Sequence, residues 1–171
     1  MRRVEVEGVR IEMPSNQPVV LLRDFEESQV LPIWIGAVEA SAIAFAQQGV
    51  HPPRPLTHDL FIDAIAAIGQ RLEAVHITEL REGTFYATLN FASGIQVSAR
   101  PSDGIALALR CGAPILVAED VMADAAVPLP VGEEQEVEKF REFLDHVSAE
   151  DFDTNLAEEP DESGDDAEPD D

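Results

Sequence analysis

Apolar and charged positions alternate over Arg3–Met13 (Val4, Val6, then Val9 and Ile11), and the phase slips at Gly8. The pattern predicts a strand with a bend or bulge at that glycine. Pro14-Ser15-Asn16-Gln17-Pro18 is a turn cluster. Val19–Arg23 and Val30–Ile35 read as strands around a polar turn at Asp24–Ser28. Three strands joined so tightly make an antiparallel meander the economical arrangement. After Gly36 the period lengthens. Ala37–Gln48 carries Val38, Ala42, Phe45 and Ala46 near one face, widened by Ala40, Ile43 and Ala44, so a mostly buried helix closed by Gly49 is expected. Val50–Leu56 holds three prolines and must be a stiff, extended loop. A second helix is expected from Thr57, as N-cap, to about Gly69, burying Leu60, Phe61, Ala64, Ile65 and Ile68.

The middle of the chain alternates again. Arg71–Arg81 and Thr84–Phe91 flank the turn Glu82-Gly83, and Ser93-Gly94 turns into a strand over Ile95–Ala99. The stretch ARPSDGIALALR (Ala99–Arg110) follows, and the chain is organised around it. Pro101 holds Arg100 extended, Ser102 is expected as N-cap, and Asp103 falls in the first turn, where a carboxylate offsets the helix dipole. Gly112 supplies the stop. Ala113–Ala118 reads as a short buried strand with Glu119 and Asp120 at its end, then Val121–Ala126 as a helical piece and Val127–Gly132 as a proline-bounded linker. Glu133–Val147 is amphipathic, with Val137, Phe140, Phe143, Leu144 and Val147 at helical spacing. A strand, a turn, an acidic first turn and an Ala/Ile-rich helix occur at Ile33–Gly49 and again at Val97–Gly112. Two such halves could set Glu39 and Asp103 facing each other.

Charge changes this picture at one end. The chain of 171 residues carries −23, and residues 151–171 hold eleven acids with no Lys or Arg, a segment too polar to fold alone. Three parts are therefore expected: a domain over 1–130, a linker with an amphipathic helix over 131–150, and an acidic disordered tail over 151–171. The opening residues lack the apolar core of a signal peptide, and no run approaches a membrane span. The single Cys111 excludes an intramolecular disulfide and a cysteine-based zinc cluster. A cytoplasmic protein that meets no membrane is expected.

Polar chemistry gathers where strands or loops meet helices. Arg100, Ser102 and Asp103 crowd one turn; Arg54, Thr57, His58 and Asp59 crowd another; Glu39 is the only charge in its helix. Each also has a plain structural use, as a cap, a dipole partner or an ion pair.

Five blocks carry a resemblance: LPIWIGAVEASAIA (Leu31–Ala44), PRPLTHDL (Pro53–Leu60), GTFYATL (Gly83–Leu89), RPSDGIALALR (Arg100–Arg110) and APILVAEDV (Ala113–Val121). In order and spacing they resemble the bifunctional nuclease domain family over roughly residues 1–130, and the acidic stretch Glu133–Phe152 looks like the extension of its actinobacterial members. The resemblance implies an α+β domain with a mixed, largely antiparallel sheet, buried Ala/Ile-rich helices and a C-terminal amphipathic helix. It also implies self-association, as a homodimer or a higher homo-oligomer, and nuclease activity on RNA and DNA. The motif polar positions it transfers are Glu39, Arg54, Thr57, His58, Asp59, Arg100, Ser102 and Asp103. Many members have an aspartate two residues before the motif arginine, where this chain has Ser98.

Two functions are consistent with these residues. In the first, Mg²⁺ or Mn²⁺ assists phosphodiester hydrolysis. Glu39, Asp59 and Asp103 would hold the metal, and Glu39, His58 and Asp103 would carry the catalysis. Arg54, Arg100, Ser102 and Thr57 would hold the phosphate. The net charge disfavours a nucleic acid or nucleotide partner, because so few arginines release few counterions. In the second, the chain is a non-catalytic dimerising scaffold or regulatory interaction module. Its pairs, such as Arg54–Glu39 or Arg100–Asp103, would then only hold loops in place.

Overall fold

Strand β1 (Arg2–Glu12) sits inside the sheet and serves two neighbours. Its first residues pair antiparallel with β7 (Ile115–Val117), and from Glu5 onward it pairs antiparallel with β2 (Gln17–Asp24). The register shifts between Val6 and Gly8, the bulge foreseen at that glycine. β3 (Gln29–Trp34) completes the expected meander. On the other side, β4 (Leu72–Arg81) runs parallel to β7 and antiparallel to β5 (Thr84–Phe91), which pairs with β6 (Gln96–Ala99). The spatial order is β6-β5-β4-β7-β1-β2-β3-β8, and β4–β7 is its one parallel pairing among the described residues. The fold is α+β, with a mixed and mostly antiparallel sheet.

In this computed structural model the described residues are Met1–Leu129, and they form one unit. The amphipathic helix, the acidic tail and half of the linker expected from the sequence lie outside them. β8 (Val127–Pro128) corrects the start of that linker: Val30 and Gln29 of β3 pair with Val127 and Pro128, so the segment is an edge strand. Proline is admissible there because an edge needs no donor on its outer side.

Helix α1 (Ala37–Gln47) packs on β1, β2 and helix α3 (Pro101–Cys111), while α3 lies on β4 and β5. Between sheet and helices sit Val20, Leu22, Leu31 and Ile33 with Val75, Ile77, Leu89 and Val117, and they meet Ile43 and Ile105–Ala108. Burial of α3 is nearly complete. The other two helices are not buried as expected. In α1 only Ala40 and Ile43 are, with Val38 and Phe45 exposed. Helix α2 (Thr57–Ala67) has no buried residue; Leu60, Phe61, Ala64 and Ile68 are exposed. It packs mainly on α3, and its inner side is only the half-buried line His58, Asp59, Ile62 and Ile65. Its apolar residues spread too far around the helix for one neighbour to cover. The short α4 (Glu119–Ala125) begins two residues before the expected start and buries Val121 and Met122.

Candidate functional site

The three longer helices among the described residues open in the same way. An extended residue caps each one, Gly36 for α1, Leu56 for α2 and Arg100 for α3, and the third helical residue is an acid: Glu39, Asp59 and Asp103. A carboxylate in the first turn lowers the energy of the exposed N–H groups there. These caps correct two expectations, since neither Ser102 nor Thr57 is an N-cap. Pro101 takes the first helical position, which suits its fixed φ and missing N–H, and so makes Arg100 the cap and leaves Ser102 buried inside the first turn. In α2, Asp59 Oδ2 reaches back to accept the Leu56 N–H at 2.9 Å, and Thr57 stands exposed one residue later.

Two of the acids converge on one guanidinium. Arg100 donates from Nε to Asp103 Oδ2 at 2.8 Å and from Nη2 to Asp103 Oδ1 at 3.0 Å, a fork-on-carboxylate geometry. The same Nη2 lies 2.9 Å from Glu39 Oε1, so the junctions before α1 and α3 do meet in space. Gly36 makes room for this: a Cβ there would overlap Glu39 Oε2, which folds back over the glycine. His58, from the first turn of α2, brings Nε2 to 3.4 Å from Asp103 Oδ1. The anions lie beneath and the cation on top, for the side chains of Glu39, His58 and Asp103 are 17, 16 and 31% exposed and that of Arg100 is 65%. Partial burial alone would raise the Asp103 pKa, but the hydrogen bond and charge of Arg100, helped by His58, outweigh it and hold the carboxyl below the usual aspartate range. Asp103 and Glu39 in turn hold the Arg100 pKa above its ordinary value.

Asp59 goes elsewhere. It binds Nε of Arg110, whose Nη1 also donates to the carbonyls of Ala106 at 2.7 Å and Ala42 at 3.2 Å. One nearly buried guanidinium thus ties α1, α2 and α3 together, 9% exposed. Burial again works against the Asp59 charge, and the Leu56 N–H and Arg110 outweigh it, so its pKa is lowered. Reading the sequence for chemistry overlooks Arg110. The signal was present: a lone base in the last turn of an apolar helix, seven residues and so two turns after Asp103 on the same face. Arg54 stands exposed in the proline loop and makes no ion pair with another described residue. Glu119, the first residue of α4, binds Nε of Arg2 at 2.7 Å and the terminal amine of Met1 at 3.1 Å.

As arranged, these donors do not fit Mg²⁺ or Mn²⁺. Glu39 and Asp103 both face the Arg100 guanidinium, and Asp59 faces Arg110. Among the described residues no three His, Cys, Asp or Glu side chains gather as a metal-holding group. The cluster can instead grip an anion. Arg100 Nη1 has no partner among the described residues, and it sits on the exposed side of an acid–imidazole pair.

No helix among the described residues is long and apolar enough to cross a membrane. Two uncharacterized proteins of Mycobacterium tuberculosis strains are each 56% identical to the chain over 161 residues, 89% of this chain and 98% of theirs. Bifunctional nuclease 2 of Oryza sativa subsp. japonica is 28% identical over 118 residues, 65% of this chain and 36% of that protein. The bifunctional nuclease of Oryza minuta is 26% identical over 108 residues, 60% of this chain and 33% of its own length. The family model described as the bifunctional nuclease domain matches residues 20–130, which include every side chain of the Arg100 cluster, and the chain belongs to that family.

Proposed function

We propose that the chain hydrolyses phosphodiester bonds in RNA and DNA at the Arg100 cluster. One observation carries this: a guanidinium gripped by two carboxylates, one of which also holds an imidazole. Arg100 Nη1 binds a phosphate oxygen of the substrate. With His58 protonated, the four side chains sum to zero charge, so the phosphate meets no local repulsion. Water attacks phosphorus and its oxygen forms the new P–O bond, while its proton passes to the Glu39 carboxylate. The bond from phosphorus to the leaving ester oxygen breaks, and that oxygen takes the proton of His58. Asp103 orients the imidazole and stabilises its cation. Solvent then returns a proton to His58 and takes one from Glu39. No 2′-hydroxyl takes part, which is why both nucleic acids are substrates.

The test is cleavage of dye-labelled RNA and DNA oligonucleotides by the full chain, once in EDTA and once in Mn²⁺. Cleavage in EDTA is expected, with His58→Gln and Glu39→Gln each about a hundredfold slower or worse and their melting midpoints little changed. Absence of cleavage in both buffers, or variants as fast as the parent, would overturn the proposal. Cleavage in Mn²⁺ alone would keep the activity and discard the metal-free chemistry.

A second reading, a non-catalytic self-associating module, draws on the outer faces of α1 and α2. Val38 and Phe45 on α1, Leu60 on α2 and Ile68 just after it are 78, 41, 57 and 74% exposed, apolar residues of the kind that pair with a copy of the chain. A sedimenting dimer that Leu60→Asp dissociates, together with no cleavage in either buffer, would favour it.

A further inference from the structure

Beside Arg100 lies an open groove of about 560 Å³, within the roughly 300–1,000 Å³ typical of small-molecule sites. Trp34 and Phe85 line it together with Arg100, and Asn16 and Gln17 bring carboxamides. Trp34 is the last residue of β3. Its neighbours Leu31 and Ile33 are taken into the core, yet the indole is 50% exposed. Its N–H is satisfied by Glu12 Oε2 at 2.8 Å, which fixes one edge of a ring that is half open to solvent. A groove that joins an aromatic face, amides and a cation fits a planar ring with polar edges that carries a phosphate.

We infer that this groove seats an unpaired nucleobase stacked on Trp34 while Arg100 holds the adjoining phosphate, which makes single-stranded nucleic acid the substrate class. The phosphate position rests on the phosphodiesterase proposal; the base seat does not. A paired base has its faces covered by its neighbours and cannot stack on a side chain without leaving the duplex. Charge favours the same strand state. A duplex carries one negative charge per ~1.7 Å of axis, and proteins that bind it neutralise many phosphates at once. The described residues offer nine arginines and no lysine, scattered along a chain of net charge −23. Stacking supplies affinity that does not depend on neutralising phosphates.

The chain contains one tryptophan, so its emission reports this groove alone. The full chain is titrated with a single-stranded octathymidylate, with a hairpin duplex of the same length, and with inorganic phosphate. Quenching by the single strand only is expected. Anisotropy of a labelled octamer should show Trp34→Ala binding about tenfold or more weakly and Trp34→Phe within about threefold of the parent. In cleavage, Trp34→Ala should raise KM with kcat nearly unchanged. Equal quenching by duplex or phosphate, or unchanged octamer affinity in Trp34→Ala, would overturn the base seat. Quenching by the octamer with no cleavage would keep the base seat and fail the phosphodiesterase proposal. Cleavage without quenching, at parental kcat/KM in Trp34→Ala, would do the opposite.

Discussion

Arg110→Met removes one guanidinium and keeps most of the stem that packs between three helices. Its main effect falls on Asp59, which loses its cationic partner and keeps the Leu56 N–H. The carbonyls of Ala42 and Ala106 lie within helices and have partners of their own along the backbone, so their share of the loss is small. Breaking a buried pair from one side costs about 3–5 kcal/mol, but Asp59 is 29% exposed and regains some hydration, which brings the expected loss to about 2–3 kcal/mol. For a domain of this size that lowers the melting midpoint by roughly 6–12 °C. Urea unfolding followed by circular dichroism measures it, in a cycle with Asp59→Asn. The double variant should lose at least about 1 kcal/mol less than the two single losses added together. The sign of the pH dependence follows from the lowered Asp59 pKa. Its stabilising effect is fully present above the ordinary value of 3.8 and disappears as pH falls through the lower folded value. The gap between parent and Arg110→Met should therefore be full at neutral pH and narrow as acid protonates Asp59, which burial without Arg110 favours. A loss under about 1 kcal/mol, or strict additivity with Asp59→Asn, would refute the idea that this pair fastens the helices.

Other substitutions separate the site from its scaffold. Gly104→Ala puts a Cβ at 2.6 Å from Val75 Cγ1, where α3 crosses β4, and overpacking of that kind costs about 1–3 kcal/mol; an unchanged calorimetric midpoint would contradict the close approach. Gly36→Ala suits the backbone, φ −74° and ψ 158°, so the collision falls on Glu39 and swings its carboxylate off Arg100. Its midpoint should stay within about 3 °C of the parent while cleavage drops as in Glu39→Gln; parental cleavage would mean that the Glu39 position is immaterial. Asp103→Asn should also melt near the parent, because Arg100 is mostly exposed, and should lose cleavage. A large fall in midpoint with cleavage intact would assign Asp103 to structure alone.

The strands were legible because their signals are local. Alternation, the slip at Gly8 and the turn residues at 14–18 and 82–83 each fix a backbone geometry without help from distant residues. The doubled strand–turn–helix pattern even carried a long-range fact, for Glu39 and Asp103 do face each other across Arg100. What could not be read depends on neighbours. An apolar stripe on α2 says that something could cover it, and only the fold shows that α3 is its main neighbour and leaves most of the stripe open. Capping by Ser102 and Thr57 failed because residue preference yielded to position: Pro101 claims the first helical turn, and Asp59 reaches back to Leu56. Asp59 and Arg110 look equally free in sequence, fifty-one residues apart, and no periodicity announces their bond.

The placement of β1 has a consequence for how the domain is made. Its flank is filled by β7, residues 115–117, which also bridges to β4. Until that late segment is in place, β1 and β4 are not joined within the sheet and each leaves an edge unpaired. Synthesis must run nearly to the end of the domain before the sheet can close, and slow closure of such distant pairings leaves those edges open to neighbours in the meantime.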